Sequence, residues 1–222
     1  MRISRMRRLV TAGSIAVLGT VAGVGSAVSV AGADTTPVTV NATFASGSVG
    51  AAYSGGSISA TGGSGTYKFT VTGLPPGTKF TYGRVTGKPT TVGDYSVTVT
   101  ATDTSKPTEL TGSATGTFVV EQGQPTMTLM THMAKASLTS NETLTTTLHG
   151  TAKGQPDTGA VTFTANGDPI TCATTVVTVD KTKCTFAASS LGGVGTYAIV
   201  ADDSGDVNYD AASAAGQVSV YK

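Results

Sequence analysis

Apolar and polar residues alternate in short runs along most of this chain, which is the pattern of β-strands that bury one face. The clearest run is Tyr95–Ala101, where every second residue is apolar or aromatic and the others are Ser or Thr. Shorter runs of the same kind occupy residues 38–44, 66–72 and 161–163. No series of apolar residues at helical spacing exceeds two turns, and β-branched residues are abundant. The pattern predicts an all-β fold.

Turn residues separate these runs at short intervals. Leu74–Gly77 contains two prolines, which fix φ and remove backbone donors, and Asn166-Gly167 is a strong hairpin signal. Short strands separated by such turns predict β-sandwiches. A polar segment at residues 122–125 interrupts the pattern midway. We therefore expect two tandem sandwich domains, at 34–121 and 126–222, joined by a linker at 122–125.

The first 33 residues have the layout of a secretory signal peptide. Four arginines precede position 9, Leu9–Val30 carries no charge, and Ala31-Gly32-Ala33 supplies the small residues that a signal peptidase reads. About 20 uncharged residues could also span a bilayer as an anchor, but the run is rich in Gly, Ser and Thr. Arg7-Arg8 indicates a twin-arginine export route as an alternative to the general secretory route. We expect cleavage after Ala33, a secreted or cell-surface location, and no membrane insertion afterwards.

Charge argues against two classes of partner. Removal of the four N-terminal arginines leaves ten basic residues against thirteen acidic ones, a net charge of −3. A mildly acidic chain with scattered lysines has no electrostatic footprint for nucleic acid or for an anionic membrane. We expect no nucleic-acid partner and no cofactor.

The first half carries an ordered set of motifs. Gly-Leu-Pro-Pro-Gly at 73–77 is followed by Gly-Lys-Pro-Thr-Thr at 87–91 and by Gly-Asp-Tyr at 93–95, which runs into the strand ending at Asp103. This order resembles the cadherin-like immunoglobulin (Ig) domains of bacterial surface proteins.

The second half carries a different set. Its elements are residues 159–167, Ser-Leu-Gly at 190–192, residues 195–201, and Ser-Gly-Asp-Val-Asn-Tyr at 204–209. They resemble the bacterial Ig-like repeat family, and the last element is the most specific. The second resemblance implies a seven-stranded sandwich built for tandem stacking, and the first implies a domain that displays, spaces or binds and seldom catalyses.

Cys172 and Cys184 are the only cysteines. An even count in an exported chain predicts a disulfide, and cysteine pairs at similar positions in Ig-like relatives support it by resemblance. A free or metal-binding pair is the alternative, although two cysteines lack the four ligands of structural zinc. Asp180-Lys181 is the better turn between them and would place Cys184 opposite Val177. A disulfide then needs a longer connection or a bulge.

Catalytic candidates are sparse. His132 and His149 are the only histidines, and we interpret both as exposed strand residues rather than parts of a triad. The acids mostly flank Gly, Ser or Thr in turns, which disfavours a paired-carboxylate hydrolase. Trp is absent, so an exposed sugar-stacking platform would have to use Tyr53 and Tyr82. We expect no enzymatic activity.

The densest acidic cluster contains Asp202, Asp203 and Asp206. Several carboxylates on a tight loop make a weak calcium candidate, but no Glu closes an EF-hand spacing. The favoured interpretation is a structural turn in which Asp206 and Asn208 bond nearby backbone and Tyr209 packs.

The sequence therefore predicts a non-catalytic Ig-like protein for adhesion, display or protein–protein contact. Its partner would be an extracellular protein or glycan. The alternatives are a carbohydrate- or wall-binding module and a passive spacer. Candidate contact surfaces are residues 55–65, 74–79 and 202–209, with Tyr53, Tyr82, Asp206 and Asn208 as their leading side chains.

Overall fold

The computed structural model describes residues 36–104, 109–132 and 135–222, so the predicted signal peptide lies outside the described residues. Its regular structure is seventeen strands and one 3-10 turn, which confirms the all-β prediction. Within the described ranges, no helix has the length and hydropathy needed to cross a membrane.

The first sandwich contains the strands up to Glu121. They are β1 (Thr39–Thr43), β2 (Gly47–Ser48), β3 (Ser57–Thr61), β4 (Tyr67–Thr72), β5 (Thr78–Thr81), β6 (Arg84–Gly87), β7 (Gly93–Asp103) and β8 (Thr111–Glu121).

One sheet of this sandwich has the order β2-β8-β7-β4, and β1-β3 and β5-β6 form two-stranded sheets. The β1–β3 sheet covers the inner face of β7, because Val38 and Val40 pack against Val99 and Ala101. The predicted alternation of β7 is confirmed, since Val97 and Val99 are fully buried.

The second sandwich begins at Thr126. Its strands are β9 (Thr126–Thr131), β10 (Lys135–Ser137), β11 (Asn141–His149), β12 (Val161–Ala165), β13 (Asp168–Pro169), β14 (Thr174–Thr178), β15 (Lys181–Ala187), β16 (Gly195–Asp203) and β17 (Ala212–Tyr221), with a 3-10 turn at Ala188–Leu191.

Two sheets enclose the second core, with the orders β10-β17-β16-β12-β13 and β14-β15-β11-β9. Leu144 and Phe186 from one sheet meet Phe163, Ile199 and Val218 from the other. Asn166-Gly167 forms the two-residue hairpin that the sequence predicts, with φ of 49° and 93°. The exact predicted domain limits stay predictions.

A tyrosine near the start of the long central strand fixes the same corner in each sandwich. The Tyr95 hydroxyl donates to the Thr91 carbonyl at 3.1 Å, and the Tyr197 hydroxyl donates to the Gly193 carbonyl at 3.1 Å. Both bonds reach four residues back along the chain, as in the tyrosine corner of Ig sandwiches. The sequence placed Tyr95 in the core, but it is only half-buried because this hydroxyl remains near the surface.

The predicted disulfide is confirmed. Cys172 and Cys184 are bonded, with their Cα atoms 5.2 Å apart. The expected turn at Asp180-Lys181 is wrong, because Thr178 pairs with Lys181 and the turn is Val179-Asp180. Asp180 adopts φ of 56°, a left-handed conformation that Asp tolerates better than Val. Cys184 therefore lies opposite Thr175, and Cys172 reaches it from the connection before β14.

Candidate functional site

Tyr53 does not belong to an exposed platform. It is only 7% exposed, its ring centroid lies 4.3 Å from that of Phe118, and its hydroxyl donates to the Ala45 carbonyl. Burial raises the pKa of the Tyr53 phenol, although the hydrogen bond to Ala45 opposes this. The alternative in which Tyr53 forms part of an exposed sugar-stacking platform is wrong, because its ring is part of the first core.

Tyr82 has the opposite environment. It is fully exposed at the tip of the β5–β6 hairpin, where Thr81 pairs with Arg84. Its φ is 50°, which is unusual for a bulky residue. A single exposed ring remains at this tip, so the two-tyrosine platform is not formed.

Asp206 closes the predicted turn. Its carboxylate accepts hydrogen bonds from the backbone of Asn208 and Tyr209 and from the backbone and hydroxyl of Thr158, at 2.7–3.1 Å. Burial disfavours the charged form, but these hydrogen bonds outweigh it and hold the Asp206 pKa below its usual value. The carboxylate is occupied by its own fold and does not present a binding surface.

Asn208 and Tyr209 join the two sandwiches. The Asn208 side-chain oxygen accepts from the Val92 N–H at 3.1 Å, and its carbonyl accepts from the Gly123 N–H at 2.8 Å. Tyr209 is 1% exposed and packs with the core of the first sandwich, together with Ala152. We call this contact the joint, defined by Val92, Gly123, Ala152, Asn208 and Tyr209.

The Tyr209 hydroxyl completes the joint. It accepts from the Ala152 N–H at 2.7 Å and donates to the Gln155 carbonyl at 2.7 Å. Its ring lies so close to Gly123 that a Cβ there would come within 2.9 Å of it. Residues 204–209, the motif with the most specific resemblance to the Ig-like repeat family, thus contain the two side chains that connect the sandwiches.

The three acids of the calcium prediction do not converge. Asp202 and Asp203 are adjacent on β16, so their side chains point to opposite faces. Asp202 is exposed, Asp203 is 2% exposed, and the Asp206 carboxylate is bonded as above. The weak calcium candidate of Asp202, Asp203 and Asp206 is therefore not formed, and Asp206 instead makes the structural turn that the sequence favoured.

The remaining predicted surfaces have structural uses. Within residues 55–65, Ser64 donates from its N–H and its hydroxyl to the buried Asp103 carboxylate, at 2.5 and 2.6 Å. The 74–79 turn supports the β5–β6 hairpin through the Thr78 N–H, which donates to the Pro75 carbonyl. His132 and His149 are exposed strand-end residues, as expected.

The second sandwich has an exposed apolar edge strand that the sequence analysis does not predict. All five residues of β14 are exposed, and this strand ends its sheet. Val176 and Val177 are 53% and 71% exposed, and no residue of Thr174–Val179 is charged. An exposed β-branched edge strand without a charge or a proline is a template for pairing with another chain.

A row of side chains crosses the outer face beside this edge. Val176 pairs with Lys183, Lys183 with Thr145, and Thr145 with Met130, so the four lie abreast on the four strands. We call them the docking row. Met130 is 67% exposed, which is unusual for methionine. The row lies in a groove of about 760 Å³ that also includes His132, Thr143 and Lys181.

The sequence of β14 does not reveal its exposure, because a run of β-branched residues predicts a strand with at least one buried face. β14 has none, since it extends past the core at the sheet edge with both faces in solvent. Only the uncharged Thr-Thr-Val-Val-Thr composition signals an unusual edge, and a buried strand would share that composition.

No protein-family model matches this sequence, and no curated protein matches it. Solved structures do resemble its fold. Titin domains Z1Z2 in complex with telethonin are 16% identical, with 83% of this chain and 98% of that chain covered and a TM-score of 0.36. Fibronectin(III)-like modules of Clostridium thermocellum CbhA are 15% identical, covering 82% and 94%, with a TM-score of 0.31.

The ectodomain of mouse nectin-like molecule 4 is 13% identical, covering 85% of this chain and 65% of that chain, with a TM-score of 0.34. These neighbours are tandem Ig-like or fibronectin-III-like domains. The likeness concerns fold alone and does not transfer a ligand or an activity.

Proposed function

We propose that this chain is a secreted or cell-surface, non-catalytic protein of the bacterial Ig-like class that contacts another extracellular protein. The observation that carries the proposal is the exposed β14 edge beside the docking row. An extended segment of the partner would add to this edge through main-chain hydrogen bonds and lay alternate side chains along the row. The disulfide supports an oxidising, extracellular location.

The chemistry of the groove defines the partner further. Val176 and Met130 offer apolar area at its two sides, and Lys181 and Lys183 supply the charges among its lining residues. A complementary segment is extended, apolar at alternate positions and acidic where it meets the lysines. The joint supports presentation of this surface, because it bonds the two sandwiches through both backbone and side chains.

The test is sedimentation of the purified protein with intact producing cells, before and after the cell surface is treated with protease. A double variant, Met130→Lys with Val176→Lys, places charge on the docking row. Its matched control, Ser113→Lys with Thr115→Lys, adds the same charge to exposed positions of β8 on the first sandwich. We expect protease treatment to abolish binding, and the docking-row variant to weaken it about tenfold while the control does not.

Two outcomes contradict the proposal. Binding that survives protease treatment and is displaced by soluble wall polysaccharide identifies a glycan-binding module, for which Tyr82 is the exposed ring to substitute next. Absence of sedimentation under all conditions favours a spacer.

A further inference from the structure

Strand β9 carries one methionine on its outer face and another in the core. Met130 is 67% exposed and Met127 is 8% exposed, although they belong to the same strand. The pleat explains the difference, because strand residues at an odd separation point to opposite faces. Met127 packs in the second core, whereas Met130 belongs to the docking row, opposite Thr145. The strand therefore presents one thioether to solvent and buries the other.

Among the described residues, Met130 has the sulfur that is most open to an oxidant. The only two cysteines of the chain are bonded to each other, so neither offers a thiolate. Met1 and Met6 belong to the predicted signal peptide, and Met133 lies outside the described residues. Because an oxidant has to reach the sulfur, exposure selects Met130 over Met127.

A peroxide converts such a thioether to a sulfoxide. A lone pair of the Met130 sulfur attacks one oxygen of hydrogen peroxide, so that an S–O bond forms and the O–O bond breaks. The departing hydroxide takes the proton of the transferred oxygen and leaves as water. The sulfur loses two electrons and the peroxide gains them, so no protein group has to supply an electron or a proton. The product is polar, and methionine sulfoxide reductases convert it back to methionine.

This change falls on one apolar side of the docking row. Met130 and Val176 supply the apolar area of the groove, and the threonine and lysine between them are polar. A partner segment that covers the oxidised side chain has to remove water from the sulfoxide oxygen, which is costly without a hydrogen-bond donor. The second core keeps its packing, because Met130 does not belong to it.

We propose that Met130 is a reversible oxidation site that regulates docking. Oxidation of its sulfur by a peroxide weakens binding of the partner at the docking row, and enzymatic reduction restores it. This inference rests on the proposed function, because it concerns the affinity of the same surface. Val176 is unaffected by a peroxide, so oxidation weakens binding and does not abolish it.

The test is brief treatment of the purified full chain with dilute hydrogen peroxide, which catalase then removes. Peptide mass spectrometry measures oxidation at each methionine, thermal unfolding measures stability, and sedimentation with untreated producing cells measures binding. We expect Met130 to be oxidised at least about tenfold faster than Met127. Binding should weaken about tenfold at an unchanged unfolding temperature, and treatment with methionine sulfoxide reductases should restore it.

Two substitutions at position 130 separate the sulfur from its surroundings. Met130→Leu keeps an apolar side chain of similar volume and removes the sulfur, so it should bind cells as the wild type does and be insensitive to peroxide. Met130→Gln introduces a polar side chain and should bind weakly without peroxide. Met127→Leu is the matched control on the same strand, and Met133→Leu is the second control. Both should lose binding on peroxide treatment as the wild type does.

Four outcomes overturn the proposal. They are oxidation of Met127 as fast as that of Met130, an equal peroxide-dependent loss of binding in Met130→Leu, binding that peroxide leaves unchanged, and a loss of binding that is accompanied by a lower unfolding temperature. In each of these, the untreated chain still binds cells, so the proposed function stands. An untreated chain that does not bind cells contradicts the proposed function itself, and the regulation of docking with it.

Discussion

The two sandwiches share one corner and differ in how they complete their cores. In each, a tyrosine two residues after a glycine bonds to a carbonyl four residues back, at the same distance of 3.1 Å. The second sandwich completes its core with its own residues and a disulfide. The first core takes Tyr209 and Ala152 from its neighbour. Each corner thus forms within its own sandwich, whereas the first core depends on two residues of the other sandwich.

Truncation of Tyr209 tests this dependence most strongly. Tyr209→Ala removes a fully buried aromatic ring and two hydrogen bonds, and we expect a loss of about 4 kcal/mol in the free energy of unfolding. Chemical denaturation measures the loss, and hydrogen exchange should show it in β7 and β8 of the first sandwich. Tyr82→Ala, at a fully exposed tyrosine, is the control. A loss confined to the second sandwich would show that the first core is self-sufficient.

Removal of the disulfide should affect the second sandwich alone. We expect Cys172→Ala with Cys184→Ala to lower the free energy of unfolding by about 3 kcal/mol, because the unfolded chain regains the entropy of the closed loop. Urea denaturation with and without reductant measures this, and the double variant should no longer respond to reductant. Equal destabilisation of β7 and β8 in hydrogen exchange would contradict the separation of the two cores.

The tyrosine corners should be equivalent. Tyr95→Phe and Tyr197→Phe each remove one hydroxyl and one hydrogen bond, and we expect each to cost about 1 kcal/mol. Denaturation of the two single variants side by side measures the difference between them. If one substitution leaves the free energy of unfolding unchanged and the other lowers it by about 1 kcal/mol or more, the two corners are not equivalent.

Acidification should have the smallest effect on the stability of the fold. Because the folded-state pKa of Asp206 is lowered, its carboxylate stabilises the fold above the unfolded pKa, and this contribution is lost as the pH falls through the folded value. We expect the unfolding temperature of the wild-type chain to fall more on acidification than that of Asp206→Asn. Parallel pH profiles of the two proteins would show that the turn does not depend on the charge.

Local patterns predicted the elements well and the contacts between them poorly. Alternation identified β7, and Asn166-Gly167 identified its hairpin, because both signals act within a few residues. The burial of Tyr53 followed from no local pattern, since its ring meets Phe118, 65 positions later in the sequence. The joint likewise connects Val92 to Asn208, which are 116 residues apart.

The candidate sites failed for the same reason. Three acids close together in sequence, Asp202, Asp203 and Asp206, do not converge because a strand separates its neighbours onto opposite faces and a turn occupies the third. The acids that do share a cavity with Asp203 are Asp157 and Asp180, which reach it from other loops. Spacing along the chain reports a site only where one loop supplies it.

The disulfide between Cys172 and Cys184 also affects what happens when an extracellular protease cleaves the chain. It encloses residues 173–183, and with them β14 and its exposed turn, in a covalent ring. A protease that cuts the chain once within this ring opens the backbone but releases no fragment, because the bond still connects the two pieces. The exposed edge can therefore be nicked and still remain attached to the sandwich that carries it.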